Sequence, residues 1–129
     1  MSKSETHADL ERLVVEIQTA GQAWIDAKLK SDQLQDGEKN YLAALMNSLD
    51  EAWSKGAAKK ERISESKLER LARGSPEFGQ YVVGKCAAIA ETARKRVRYE
   101  ALRDLWEARR SQLAFERVQI EKGIFAVGS

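Results

Sequence analysis

The sequence has one cysteine, one proline and one histidine in 129 residues. A single cysteine cannot form an intrachain disulfide, and a metal site built on cysteine would lack ligands. His7, the only histidine, stands in a polar segment, so a catalytic triad or a multi-histidine metal site has little support. Cys86 lies among Val82, Val83 and Ile89 and is expected to pack as a small buried residue. We therefore expect no catalytic residues, no metal and no cofactor.

Long hydrophobic runs and glycine-rich phosphate loops are also missing. No apolar run approaches the ~18 residues that a membrane span needs, and the opening MSKSETHADLERL is too polar for a signal peptide. The eight glycines do not follow the spacing of a P-loop or a dinucleotide-binding turn. The expectation is a soluble, cytoplasmic protein with no membrane partner and no small-molecule substrate.

The residues that are abundant are those of helices. Hydrophobic residues make up 43% of the chain and charged residues 33%, and glycine and proline are scarce. This composition is typical of long helices rather than sheets, and the length fits one domain. We predict the all-α class, with residues 1–129 forming a single helical domain.

The first half of the chain predicts one long helix. An apolar or small residue recurs every three or four positions from Leu10 to Trp53, close to the 3.5-residue period of a coiled coil. Gly37 interrupts the pattern weakly, because a lone helical glycine costs only ~1 kcal/mol. The helix is predicted over about 5–57, and the basic stretch that follows predicts a turn over 58–63.

Two further helices follow the turn. Ser64 or Ser66 can cap a short helix over about 64–73, and Gly74 can end it in the left-handed conformation that glycine accepts. Ser75 followed by Pro76 is a strong start signal, because the missing N–H of proline would have no partner in a first turn. The third helix is predicted over about 76–121, with a tail over 122–129.

Two long helices joined at one end predict an antiparallel, coiled-coil-like hairpin with a short helix at the turn. If the two helices are aligned so that residue 57 faces residue 76, the residue numbers of each contacting pair add up to roughly 133. This register places Trp24 near Trp106 and Arg109. The apolar residues spread wider than one seam, so a homodimer forming a four-helix bundle is expected. The residues assigned to the core or to the dimer contact are Trp24, Trp53, Tyr99, Trp106 and Leu113.

Arginines dominate the third helix. Arg96, Arg103, Arg110 and Arg117 recur every seven residues, beside a second column of Tyr99, Trp106, Leu113 and Ile120. Glu100, Glu107 and Glu121 can neutralise three of the four arginines within the helix, at ~0.2–0.5 kcal/mol each. A solvated flank beside a core seam is the favoured interpretation of the two columns.

Other cations lack such compensation. Residues 1–52 contain five basic and ten acidic residues, net −5, whereas residues 53–129 contain seventeen and ten, net +7. Arg98 has no acid three or four positions away and Arg109 has none within its helix, whereas Arg94 has Glu91 three positions before it and the like charge of Arg98 four positions after it. The candidate nucleic-acid-binding residues are Arg94, Arg98, Lys59, Lys60, Arg62 and Arg109. The alternative for the basic turn is a hydrophilic surface that only maintains solubility, and Asp26 could satisfy Arg109 across the hairpin.

Three segments together carry a resemblance: LAALMNSLDE, SESKLERLARGS and ARKRVRYEALRDLWEARRSQ. Over roughly residues 24–120 the chain resembles small helical proteins of tailed bacteriophages and prophages, which are associated with early recombination and replication genes. The resemblance implies a non-enzymatic accessory protein of phage DNA metabolism, acting in the host cytoplasm. Its partner would be DNA or a protein that handles DNA. The alternative is a helical protein–protein scaffold, adaptor or host-enzyme inhibitor that binds no nucleic acid.

Overall fold

The computed structural model describes residues 3–56 and 62–128, with side chains described over 7–56 and 62–123. It contains three helices: α1 (Lys3–Lys55), α2 (Glu65–Arg73) and α3 (Pro76–Gly128). No strand occurs in these ranges. The all-α class predicted from composition and periodicity is confirmed.

Helix α1 continues without interruption through Gly37. The hydroxyl of Tyr81 on α3 donates a hydrogen bond to the carbonyl oxygen of Leu34. A Cβ atom at residue 37 would lie 3.1 Å from that hydroxyl oxygen. Glycine at this position therefore gives the tyrosine room to reach the α1 backbone, and its small cost in helix propensity does not break the helix.

The short helix α2 is bounded by two serines. The Ser64 side chain accepts a hydrogen bond from the Lys67 backbone N–H at 3.3 Å and caps the start. Ser75 closes the link to α3, because its hydroxyl donates to the Ala72 carbonyl at 2.6 Å and accepts from the Phe78 N–H at 3.3 Å. Gly74 has φ −86. The expected left-handed cap is therefore wrong, and a right-handed turn with an N–H bond to the Arg70 carbonyl replaces it.

The boundaries differ from the expected ones at the end of α3. The helix runs to Gly128, through the segment expected to be a tail over 122–129. No proline follows Pro76, and Gly123 alone costs only ~1 kcal/mol, so nothing local stops the helix near residue 121. Residues 57–61, which cover most of the predicted turn, lie outside the described residues.

The chain forms two compact units, and α1 and α3 contribute to both. One unit comprises Met1–Ile25 with Ala93–Ser129, and the other is Asp26–Thr92. In the second unit, Leu42 of α1, Ala72 of α2 and Phe78 of α3 form a buried cluster. The rings of Tyr41 and Tyr81 stack beside it, with centroids 4.4 Å apart. This cluster joins all three helices of the chain.

The unit of Met1–Ile25 and Ala93–Ser129 has a thinner core. Leu13 and Ala20 of α1 are buried. The side chains of α3 that face inward, Tyr99, Leu102, Trp106 and Leu113, are only half-buried. The Trp24 and Tyr99 rings lie 5.4 Å apart, and a Cβ on Gly21 would approach the Tyr99 ring to 3.2 Å. Ile120, expected in the same column, is 56% exposed, so the seam does not extend that far.

The pairing register differs from the predicted one. Trp24 contacts Tyr99 in one unit, and Glu38 bonds to Lys85 in the other. Both pairs sum to 123 rather than 133, so Trp24 does not meet Trp106 or Arg109 as expected. The physical reason is α2. Leu71 of α2 and Ile63, just before that helix, line the same apolar cavity as Trp53 at the end of α1, so α3 begins alongside an earlier part of α1.

Candidate functional site

Three of the four arginines in the column of α3 lie over aromatic rings. The guanidinium carbon of Arg103 is 5.8 Å from the Tyr99 centroid, and that of Arg110 is 5.4 Å from the Trp106 centroid. Both contacts follow from the four-residue spacing, which places side chains on the same helix face. Arg96 lies 5.8 Å from the ring centroid of Trp24 on α1 and donates to Glu100 at 2.9 Å. These cations cover half-buried rings, each contact stabilising by about 0.5–1 kcal/mol at an exposed site.

Arg109 has a structural partner. It forms an ion pair with Oδ2 of Asp9, which also pairs with Arg12 through its other oxygen. The Asp9 side chain is only 10% exposed, and Arg109 is 38% exposed. Among the described residues, none makes a well-directed hydrogen bond to Asp9 Oδ2, so Arg109 supplies its charge compensation. Asp26, suggested as the partner from the predicted register, does not occupy this place.

Arg94 and Arg98 have exposed side chains one turn apart on α3. Within the ranges whose side chains are described, no ion pair involves Arg98. Arg109 belongs to the inward-facing surface and does not join them. Of the candidate nucleic-acid residues that the structure describes, Arg94 and Arg98 form a local pair on one exposed face of α3.

The other basic candidates come shortly before α2 in the sequence. Arg62 is exposed, whereas Lys59 and Lys60 lie outside the described residues. Lys67 lies 5.2 Å from the centroid of the half-buried Trp53 ring. Arg73 donates to Glu69 at 3.0 Å. Part of the positive charge of this segment is thus used in packing and in local ion pairs.

One polar pair was not assigned a role from the sequence. Lys85 donates a hydrogen bond to Glu38 at 2.7 Å. That bond raises the pKa of Lys85 above its ordinary value of 10.5, with desolvation opposing it. Because the folded pKa is raised, the pair stabilises fully below pH 10.5 and its contribution is lost as the pH rises through the folded value. The signal in the sequence is weak, because the partner is fixed only by the register.

Reactive groups do not converge. Cys86 is exposed, so its expected place in the core is wrong: residue 86 falls on the outer face of α3, while Val82 and Ala88 face inward. In the described part of the chain, no group of three or more His, Cys, Asp and Glu residues could hold a metal ion. An apolar cavity of about 260 Å³ lies between α1 and α2, lined by Leu49, Ala52, Trp53, Gly56, Ile63 and Leu71. None of these side chains can act as an acid, a base or a nucleophile.

No helix of the described residues is long and apolar enough to cross a membrane. Comparison with known proteins gives no match to any protein-family model, curated protein or solved structure.

The role of Arg109 can be tested through stability. Arg109→Gln is expected to lower the free energy of unfolding by about 1–2 kcal/mol, because it removes one of the two arginines that compensate the carboxylate of Asp9 and leaves its buried oxygen without a partner. Arg117→Gln, on an exposed arginine of the same helix, should change it by less than about 0.5 kcal/mol. Urea unfolding followed by circular dichroism measures both. Equal losses in the two variants would show that the Asp9 pair contributes nothing specific.

Proposed function

We propose that this protein is a non-enzymatic helical scaffold that acts as a homodimer. Its two long helices would run as an antiparallel hairpin, and two hairpins would pack into a four-helix bundle. The observation that carries the proposal is the exposed surface. Among the described residues, twelve large hydrophobic side chains are exposed, whereas eight hydrophobic residues are buried.

The apolar composition of the surface supports the same conclusion. Val97 is 66% exposed, Phe115 62% and Val118 47%. No large side chain among the described residues is fully buried. A second set of helices would cover surface that the described helices leave in water, which is the principal stabilising effect available to such a chain.

The proposal is tested by mass and by concentration dependence. Sedimentation equilibrium between about 1 and 100 μM should give about 29 kDa, twice the 14.5 kDa of the chain. The unfolding midpoint in urea should rise with protein concentration, because dimer dissociation is coupled to unfolding. A 14.5 kDa species throughout, with a midpoint independent of concentration, would overturn the proposal.

Nucleic-acid binding is a second candidate, favoured by the exposed pair Arg94 and Arg98. A role in phage recombination or replication, in the host cytoplasm and with DNA or a DNA-handling protein as partner, rests on the sequence resemblance alone. Cations on one helix face can follow a phosphate backbone and release its counterions.

A salt titration of DNA binding tests this second candidate. The Arg94→Gln, Arg98→Gln double variant should weaken binding to every sequence and reduce the log–log salt slope by about two units. Arg117→Gln on the same helix is the matched control for lost charge. Lys59→Gln with Lys60→Gln tests the turn separately. Undetectable binding by the parent protein at low salt, or an unchanged slope in the double variant, would contradict the assignment.

A further inference from the structure

Helix α3 has a second coiled-coil repeat on its outer face. The half-buried residues Tyr99, Leu102, Trp106 and Leu113 turn inward toward α1. On the opposite side, alternate steps of four and three residues connect seven exposed positions: Val97, Ala101, Asp104, Ala108, Ser111, Phe115 and Val118. We call these seven residues the outer stripe. A 4-3 repeat is the pattern that a helix presents to a packed partner helix.

The outer stripe is apolar where an isolated helix would be polar. Val97 and Phe115 are 66% and 62% exposed, and they lie five helical turns apart on the same line of the surface. The described residues therefore leave nearly two thirds of each of these side chains in contact with solvent. The stripe therefore has the pattern of a helix–helix contact without a partner in the single chain.

The order of residues in the stripe specifies its occupant. If a second copy of α3 lies antiparallel, with the two-fold axis at Ala108, paired positions sum to 215 or 216. Val97 then faces Val118, and the large Phe115 faces the small Ala101. Asp104 faces Ser111, whose hydroxyl can donate to the carboxylate, and Ala108 faces its own copy. Apolar residues meet apolar ones and polar residues meet polar ones at all four levels, which a two-fold contact requires.

The charges beside the stripe fit the same arrangement. Arg98 and Glu116 lie on the same flank of α3, and their numbers sum to 214, so each arginine faces the acid of the other copy, and the pair forms twice. On the other flank Glu107 approaches its own copy, with Arg103 and Arg110 of both chains as counter-charges. A parallel pairing would instead place Asp104 against Asp104 and Phe115 against Phe115.

We infer that the outer stripe is the dimer contact, formed by α3 and an antiparallel second copy of α3 about Ala108. This inference rests on the proposed homodimer and specifies its face and orientation. The small residues at 101 and 108 let the two helices approach closely, with Phe115 filling the space above Ala101. The contact leaves the Tyr81 and Trp24 packing of each chain unchanged.

Disulfide trapping tests the orientation. In a Cys86→Ser background, Ala108→Cys should cross-link to its own copy when a mild copper oxidant is added, because the two positions meet at the axis. Ala101→Cys alone should not cross-link, but it should do so when mixed with Phe115→Cys. Self-cross-linking at 101, or no cross-linking at 108, would overturn the antiparallel pairing.

Affinity tests the face and separates this inference from the broader proposal. Phe115→Asp should raise the dimer dissociation constant by about 30-fold or more, because it places a charge in an apolar contact. Val83→Asp, at an equally exposed site outside the stripe, is the matched control and should leave the dimer dissociation constant unchanged.

A charge swap tests the pair at the flank of the stripe. Arg98→Glu alone and Glu116→Arg alone should each raise the dimer dissociation constant by about tenfold, while the double variant should recover most of the lost affinity. If the parent protein is a dimer and Phe115→Asp does not change its dissociation constant, the outer stripe is not the dimer contact, although the homodimer stands. If the parent protein is a monomer, both the homodimer and this contact are wrong.

Discussion

Leu42→Ala is expected to lower the free energy of unfolding by about 2–5 kcal/mol, the usual range for emptying a buried leucine site. Leu42 is 9% exposed and packs between Ala72 of α2 and Phe78 of α3. All three helices meet at this side chain, so its removal leaves a cavity that no single helix can close. Urea unfolding followed by circular dichroism measures the loss.

Leu29→Ala is the matched control, because it makes the same change in the same helix and the same unit. Leu29 is 58% exposed, so its truncation removes little buried surface and should cost less than about 1 kcal/mol. Losses of similar size at 29 and 42 would mean that the cluster of Leu42, Ala72 and Phe78 is not the stabilising core.

Tyr99→Ala is expected to cost about 2–3 kcal/mol, less than a fully buried aromatic because the ring is half-buried. The ring lies over Gly21, stands 5.4 Å from Trp24 and is covered by Arg103. Tyr99→Phe keeps these ring contacts and should change stability by less than about 0.5 kcal/mol. The comparison assigns the effect to the ring rather than to the hydroxyl.

A double-mutant cycle then tests the pairing register. Trp24→Ala and Tyr99→Ala should show a coupling of about 0.5–1.5 kcal/mol, because the rings are in contact. Trp24→Ala and Trp106→Ala should be additive within about 0.5 kcal/mol. Coupling of Trp24 to Trp106 instead of Tyr99 would restore the register in which contacting residues sum to 133.

The local features of the fold could be predicted well from the sequence. Ser64 and Ser75 hold the cap positions that their sequence contexts indicate, and Pro76 opens α3. Each signal works over three or four residues, within the reach of a single hydrogen bond. The end of α3 was missed, because the residues after 121 contain neither a proline nor a strong cap. Where no local signal exists, helix propensity alone decides, and the helix continues.

The candidate site could be predicted only in part. The seven-residue columns of arginines and aromatics are visible in the sequence, but the contacts of Arg103 with Tyr99 and Arg110 with Trp106 were not anticipated. Because of these contacts, the arginines shield half-buried rings from solvent and are not only a solvated flank of the helix. Arg109 was assigned to nucleic acid because its own helix offers no acid, yet Asp9 on α1 compensates it. A partner on another helix cannot be identified without the register.

The sequence by itself determined that this protein is helical, where α2 and α3 begin, and which residues form each heptad column, because these depend on neighbours within one or two turns. The tertiary structure alone decided which columns face each other. Packing of α2 against the end of α1 shifts the α1–α3 register by about ten residues relative to a hairpin aligned at its ends. That shift joins Trp24 to Tyr99, Glu38 to Lys85 and Asp9 to Arg109. Sliding one helical repeat along another preserves the local pattern of each, so only the contacts between helices can distinguish the registers.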